Sequence, residues 1–258
     1  MATIHATALV DARARIADDV DIGAYSIVGA DVSLGPGTRV GPHAVITGRT
    51  SIGARNRIFQ FASVGDIPQD RKYRGEPTST TIGDDNVVRE FVSIHAGTAQ
   101  DRGTTTIGNG NLFLAYTHVA HDCVVGDFTT FSNNAQIAGH VTIGDFAVLG
   151  AYAGVHQFCH VGAHAMLAAG AIVLQDVPPY VTAAGYPAKP AGTNKEGLRR
   201  RGFTPDDIAN VHRAYKLLYR SGLSLEDARE SLAREGKTQP LVAAFAQFLA
   251  ESRRGIIR

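Results

Sequence analysis

Stepping by six from Ile4, the chain places Ile4, Val10, Ile16, Ile22, Val28, Leu34, Val40, Ile46, Ile52, Ile58 and Val64 in one series, all aliphatic. The series resumes in phase at Ile82, Val88 and Ile94. It restarts one residue out of phase at Ile107 and then runs every sixth residue, through Phe113, Val119 and Phe131, to Val173. A period of six is neither the 3.6 of a helix nor the 2 of a half-buried strand. It fits a short flat strand and a tight corner, repeated, with the aliphatic residue pointing inward.

The other hexad positions agree. The residue after the aliphatic one is often glycine, as at Gly23, Gly35, Gly41 and Gly53. The fifth residue is often small, as at Ala44, Ala62, Ala135 and Ala147. Glycine or asparagine is expected to take the strained corner dihedrals. The 28 glycines and the absence of tryptophan suit a fold made of corners better than a large mixed core. Three hexads close one triangular coil of 18 residues, and stacked coils pair as parallel strands ~4.8 Å apart. The expected architecture is therefore mainly β, a left-handed parallel β-helix of hexapeptide repeats.

Two polar segments interrupt the count, at about 66–81 and 100–106. Loops extruded from a regular solenoid are candidates for function, the longer one above all. The period ends after Val177-Pro178-Pro179. A helix is expected from Thr204 as N-cap with Pro205 at its first position, stopped by Gly222. A second starts at Ser224 with Asp227, and a third at Pro240. Residues 1–178 are thus read as the β-helix, and 179–258 as a connector and a C-terminal α-helical domain that caps the open sheet edges.

Net charge is +1 overall but segregated, +5 over 195–258 and −4 over 1–194. The basic tail suits an acidic partner; nucleic acid is not expected. No apolar run approaches the ~18 residues of a membrane span. No signal peptide is apparent and only two cysteines occur, so a cytoplasmic location is expected.

The coil turns spacing into geometry. Eighteen residues beyond His121 is Gly139, and eighteen more is Gln157, one vertical column. His140 flanks Gly139 and His156 flanks Gln157, so His118, His121, His140 and His156 should gather on neighbouring rungs. Cys123 and Cys159 stand two rungs apart, ~9.6 Å, too far for a disulfide, and read as buried small residues. Clustered imidazoles admit two chemistries. Three of them can bind Zn²⁺ and activate water. Alternatively one acts as a general base whose tautomer a carboxylate fixes. Asp122 beside His121 suits the second, provided the pair sits at a corner, because neighbours on a strand face opposite ways.

The stretches HVAHDCVVGD, NNAQIAGHVTIGDFAVLG, VHQFCHVGAHAM, QDVPPYV and QFASVGDIPQDRKYRGEPT, with GLRRRGF and AYKLLYRSG in the tail, closely resemble the UDP-N-acetylglucosamine O-acyltransferases of lipid A biosynthesis. The resemblance runs over almost the whole chain, both interruptions included. It implies transfer of a 3-hydroxyacyl group from acyl carrier protein to the 3-hydroxyl of UDP-N-acetylglucosamine, the first step of that pathway, by a homotrimer with sites between subunits. It implies His121 as base, Asp122 as its orienting carboxylate and the Gly139 N–H as oxyanion donor. It places His118, His140, His156 and Gln157 around the site. Nucleotide-sugar contacts fall on Asp70, Lys72, His95, Asn194, Glu196, Arg200 and Arg201. No metal or other cofactor is implied.

In the family, bulk at the position of Ala169 shortens the preferred acyl chain. From residue 121 to 169 is about 2.7 rungs, or ~13 Å, and Ile172 nearby adds volume. That span corresponds to a medium chain of roughly 10 to 14 carbons.

A γ-carbonic-anhydrase-like zinc lyase is the alternative of another class; it accounts for the histidines but not for the basic tail or the first loop. A non-catalytic β-helix scaffold predicts that His121→Ala changes nothing. The sister N-acyltransferases carry an extra N-terminal domain, whereas the hexads here begin at Ile4.

Overall fold

The computed structural model describes all 258 residues. The chain winds through three parallel sheets, A with eleven strands, B with nine and C with eight. Each coil contributes one short strand to each sheet in the order A, B, C. Pairing runs in register at 18-residue spacing, as in His118↔Gln136↔Gly154↔Ile172 on sheet B. The fold is the expected left-handed β-helix, followed by helices. From Ile22 to Val173 every inward hexad residue is buried; only Ile4, Val10 and Ile16, on the first coil, are not.

The corners differ from expectation. At the fourth hexad position most residues with left-handed dihedrals are neither glycine nor asparagine but Tyr, Phe and His. Between sheets A and B, Tyr25, His43, Phe61, Phe91 and Tyr116 form a continuous stack with ring centroids 4.8–5.2 Å apart. The left-handed conformation costs ~1–2 kcal/mol per residue. A stacked ring pair returns ~0.5–1.5 kcal/mol, and the 18-residue repeat supplies a neighbour above and below. The recurrent second-position glycines answer another demand: a Cβ on Gly35 would lie 2.6 Å from the Gly53 carbonyl carbon of the next rung.

Both interruptions leave from the same edge, the B–C corner. The first (67–78) joins Ser63–Asp66 to Ser79–Ile82, and the second (96–103) joins Ser93–His95 to Thr104–Ile107. The first is shorter than expected at both ends and the second starts and ends earlier; in both, a four-residue strand of sheet C takes up the last of the expected loop residues. They extrude from the two rungs just before the rung that carries His121.

At the C-terminal end, Val181–Ala184 and Lys189–Thr193 form an antiparallel hairpin that extends sheet A. Helix α1 (Lys195–Arg200) follows, capped by Asn194, which accepts from Gly197 N. The repeat count did not anticipate the hairpin or this short helix. Helix α2 (Pro205–Arg220) carries the expected capping box between Thr204 and Asp207. Ser224 caps α3 (Leu225–Gly236), and α4 is Pro240–Glu251. Phe245 packs against Tyr180, and Phe248 against His160 of sheet C. The tail returns to the solenoid, where the Asp176 carboxylate accepts from His160 N and Ser252 Oγ.

Candidate active site

His118 and Val119 end a strand of sheet B, and Val124 begins the next strand, on sheet C. Between them the chain must turn, and Asp122 takes the left-handed corner dihedral, φ 58°. That rotation brings its carboxylate round to its sequence neighbour, and His121 Nδ1 donates to Asp122 Oδ2 at 2.9 Å. A carboxylate only accepts, so the bond fixes the proton on Nδ1 and leaves Nε2 as the free lone pair. Asp122 is fully buried while the His121 side chain is 15% exposed. The buried carboxylate is satisfied from the second loop: Thr98 N–H reaches both oxygens at 3.0 Å and Thr98 Oγ1–H donates at 2.6 Å. Thr105 Oγ1 accepts from Asp122 N.

The column is the expected one: His140 N donates to His121 O, and Phe158 N to Gly139 O. Gly139 N has no acceptor within the chain. A Cβ on Gly139 would sit 2.5 Å from His121 Cε1 and 2.6 Å from Nε2. The imidazole itself therefore requires a glycine here.

The other imidazoles surround this pair. His118 Nδ1 lies 2.7 Å from Ser93 Oγ, and its ring meets His95 edge-on at 5.1 Å. Burial, with a smaller contribution from His95, depresses the His118 pKa to about 4, and burial lowers that of His95. Both are neutral at pH 7. The His140 ring stands edge-on to His121 at 4.9 Å, stacks on Phe158 at 4.3 Å, and donates from Nδ1 to Asp101 Oδ2 at 2.6 Å. His156 Nδ1 donates to the Gln157 carbonyl, and Gln157 is exposed.

Two concavities flank the corner. On the sheet B side a groove of about 460 Å³ is lined by His118, His121, Gly139 and His156, then by Ala138, Val155, Ile172 and Leu174. It is polar at the histidines and apolar beyond them. On the sheet C side a polar cavity of about 560 Å³ reaches from Asp70 and Lys72 of the first loop past His140 to Arg253 and Arg254 of the tail. Gln69 lines the groove and Asp70 the cavity, so the first loop crosses the corner.

The remaining expected residues lie elsewhere on the chain. Asn194, Arg200 and Arg201 line a recess at the C–A corner with Phe146 and His164. Arg201 covers the Phe146 ring at 4.7 Å, and Glu196 pairs with both Arg199 and Arg200. Ala169 is exposed at the A–B corner, outside the groove. The straight rung count from 121 to 169 does not hold, because 48 is not a multiple of 18 and the two residues stand on different corners. Ile172 does line the groove. Thr98, Ser93 and Asp101 were not anticipated. Ser93 stands on the strand before the second loop and Thr98 and Asp101 within it, where the 18-residue arithmetic fails, and an extruded loop just below the His121 rung was the only signal.

The cysteines are buried and unpaired. Burial pushes the Cys123 thiol up to about 12 and Cys159 to about 11, which removes both as nucleophiles. The zinc alternative meets a chemical obstacle. His121, Asp122 and His140 offer atoms within 4.8 Å of one another. Yet both Asp122 oxygens are taken by Thr98 and His121. Only the two imidazole Nε2 atoms remain free in this set, one donor short of a three-ligand zinc site.

A hexapeptide β-helix with an imidazole–carboxylate pair at one corner, a free N–H one rung on and an apolar groove beside it defines an acyltransferase of the hexapeptide-repeat class. Residues 176–257 match the family described as UDP N-acetylglucosamine O-acyltransferase, domain 2. The chain is 56% identical to the acyl-[acyl-carrier-protein]--UDP-N-acetylglucosamine O-acyltransferase of Thiobacillus denitrificans and 51% identical to that of Herminiimonas arsenicoxydans, over the full length of each chain. Its structure superposes on LpxA from Acinetobacter baumannii with a TM-score of 0.96 at 46% identity, covering 99% of both chains. The UDP-N-acetylglucosamine O-acyltransferase LpxA of Moraxella catarrhalis gives 0.96 at 44%, again over 99% of both. The chain belongs to the acyl-[acyl-carrier-protein]--UDP-N-acetylglucosamine O-acyltransferase family.

Proposed function

We propose that the chain transfers a 3-hydroxyacyl group from the thioester of acyl carrier protein to the 3-hydroxyl of UDP-N-acetylglucosamine, the first step of lipid A biosynthesis. The observation that carries this reading is the His121–Asp122 pair, with Nε2 free toward a groove that becomes apolar beyond it. A sugar hydroxyl is a poor nucleophile at neutral pH. His121 Nε2 takes its proton as the oxygen attacks the thioester carbonyl, and Asp122 stabilises the imidazolium that forms. The carbonyl π electrons move to oxygen, where the Gly139 N–H receives the negative charge. Collapse expels the carrier thiolate, which takes the proton from Nε2. The neutral His118 lines the same groove and adds no competing charge.

The working unit in this reading is a homotrimer. Asn194, Glu196, Arg200 and Arg201 belong to the C–A corner and His121 to the B–C corner. A closed ring of head-to-tail contacts sets one copy's C–A corner beside the next copy's B–C corner, so nucleotide contacts come from a neighbouring chain. The basic tail suits the acidic carrier protein. No helix is long and apolar enough to cross a membrane, which agrees with work in the cytoplasm.

The test is to incubate the purified protein with UDP-N-acetylglucosamine and acyl carriers of graded length, and to follow the nucleotide sugar by mass spectrometry. An O-acylated product that needs His121 supports the reading. No product with any carrier, or equal product from His121→Ala, overturns it.

A further inference from the structure

The second loop, 96–103, leaves the B–C corner one rung before His121 and is anchored at its base, Ala96 N donating to Asp66 O and Gly97 N to Ser79 O. Two of its side chains reach the histidine corner, Thr98 from within and Asp101 from the surface. Thr98 is 1% exposed and spends its N–H and its hydroxyl on Asp122. Asp101, three residues on, accepts from His140 Nδ1. The bond Asp101 N→Thr98 O and the bond Gly103 N→Thr98 O tie the two positions into one turn.

We infer that this loop is the positioning device of the catalytic corner, with Thr98 acting through Asp122 on His121 and Asp101 acting on His140. The two anchors have one physical logic. A carboxylate orients an imidazole only if the carboxylate is itself held. Asp122 has its own rotation about χ1 and χ2, which the Thr98 N–H shared between its oxygens limits without fixing. The Thr98 hydroxyl adds a charge-assisted bond to Oδ2, the same oxygen that His121 uses. Without that bond, Asp122 can turn away and His121 loses its fixed tautomer. Asp101 does the same from outside. Its carboxylate keeps the His140 proton on Nδ1 and so leaves Nε2 as an acceptor beside the His121 ring. The corner therefore carries two imidazole–carboxylate pairs, and both depend on one eight-residue loop.

Thr98 and Asp101 affect turnover only if the chain carries out the proposed acyl transfer, on which the assignment rests. Activity is therefore paired with a readout that needs no substrate, ring ¹⁵N NMR of the histidines. For Thr98→Val, kcat is expected to fall about 10- to 100-fold with KM for both substrates within twofold, the scale of a displaced reacting group. Thr98→Ser, which keeps the hydroxyl, should return to within about threefold of wild type. For Asp101→Asn the His140 Nδ1 and Nε2 shifts should move toward a tautomer mixture, and in a His140→Ala background the same change should cost less than twofold. Thr98→Val with wild-type kcat overturns the assignment of Thr98, and so does a Thr98→Ser no better than Thr98→Val. An unchanged His140 tautomer in Asp101→Asn, or losses that multiply in the double variant, overturns that of Asp101. A wild-type protein without activity fails the functional reading instead, and leaves the NMR arm to judge the loop.

Discussion

Gly139 and His121 are one rung apart and in contact: the space a Cβ on residue 139 would take is occupied by His121 Cε1 and Nε2. Gly139→Ala must therefore move the His121 ring, the proposed base, and not merely narrow the pocket. A shift of about 1 Å in a reacting group costs up to ~100-fold, so kcat should fall by one to two orders of magnitude. The added methyl meets only a side chain, so the far-UV spectrum and thermal midpoint should stay close to wild type. Steady-state kinetics and a melting curve on the same sample check both halves.

Removing the proposed base, His121, and removing its proposed orienter, Asp122, should differ in kind. His121→Ala abolishes proton transfer from the hydroxyl and should cost ~10²–10⁴ in kcat. Asp122→Asn keeps the shape but places an amide among donors: Thr98 N–H, Thr98 Oγ–H and His121 Nδ1–H all need an acceptor there. It should lose activity on a similar scale and also stability, by ~1–3 kcal/mol for buried groups left unpaired. Denaturant unfolding separates the two variants, with His121→Ala near wild type and Asp122→Asn shifted to lower midpoint.

His118 links the site to pH. Its pKa is about 4 in the folded protein against an ordinary value of 6.5, because burial disfavours the charged ring. The unfolded chain takes up the proton first, so the contribution of His118 to stability is complete above pH 6.5 and is lost as pH falls from 6.5 toward 4. The ceiling is on the order of 3 kcal/mol. His118→Asn should flatten this part of the stability profile, measured as urea midpoints at pH 7, 6 and 5. Parallel profiles for the two proteins would show that His118 contributes nothing.

The hexad count made most of this site legible. His121, Gly139 and Gln157 follow from adding 18, and every inward residue from Ile22 onward is buried as the pattern requires. The same count failed wherever chain is inserted. Thr98 lies 24 residues before Asp122 and Asp101 lies 39 before His140, because the second loop displaces both from any multiple of 18. It failed again at Ala169, where the distance was counted along the chain without asking which corner the residue occupies. The aromatic corners were hidden for another reason: Phe or Tyr in a left-handed conformation is unfavourable alone, and at most of these corners a ring from the next coil offsets the cost, Tyr152 between Asn134 and Gly170 being an exception. Asn194, Arg200 and Arg201 belong to a different edge of the same chain, the C–A corner, which the 18-residue count does not connect to His121.

The cysteines provide a negative control on mechanism. With thiol pKa values raised to about 12 and about 11 by burial, neither forms a thiolate near pH 8. The folded protein should show no reactive thiol with Ellman's reagent at that pH, and two after denaturation. Iodoacetamide should leave activity unchanged. Rapid labelling of either residue in the native protein, with loss of turnover, would reopen a covalent route.

The acyl groove can be measured along sheet B. His118, Gln136, Gly154 and Ile172 are in register on successive rungs, so Ile172 stands three spacings from His118, ~14 Å. At its far end Ile172 Cδ1 lies 3.0 Å from where a Cβ on Gly154 would be, so the isoleucine already leans over the open floor that the glycine provides. Extra volume at either residue shortens the groove. Ile172→Phe should shift the preferred donor to shorter chains, by roughly two to four carbons at ~1.25 Å of zigzag each, and Ile172→Ala to longer ones. Gly154→Val should block medium chains and leave turnover of short ones. Ala169→Met reads something else. Since Ala169 stands at the A–B corner, a shift in chain length from that substitution requires the A–B corner of another copy to border the groove. Competition assays with acyl carriers of graded length, run on all four variants, separate a groove built by one chain from a groove built by two.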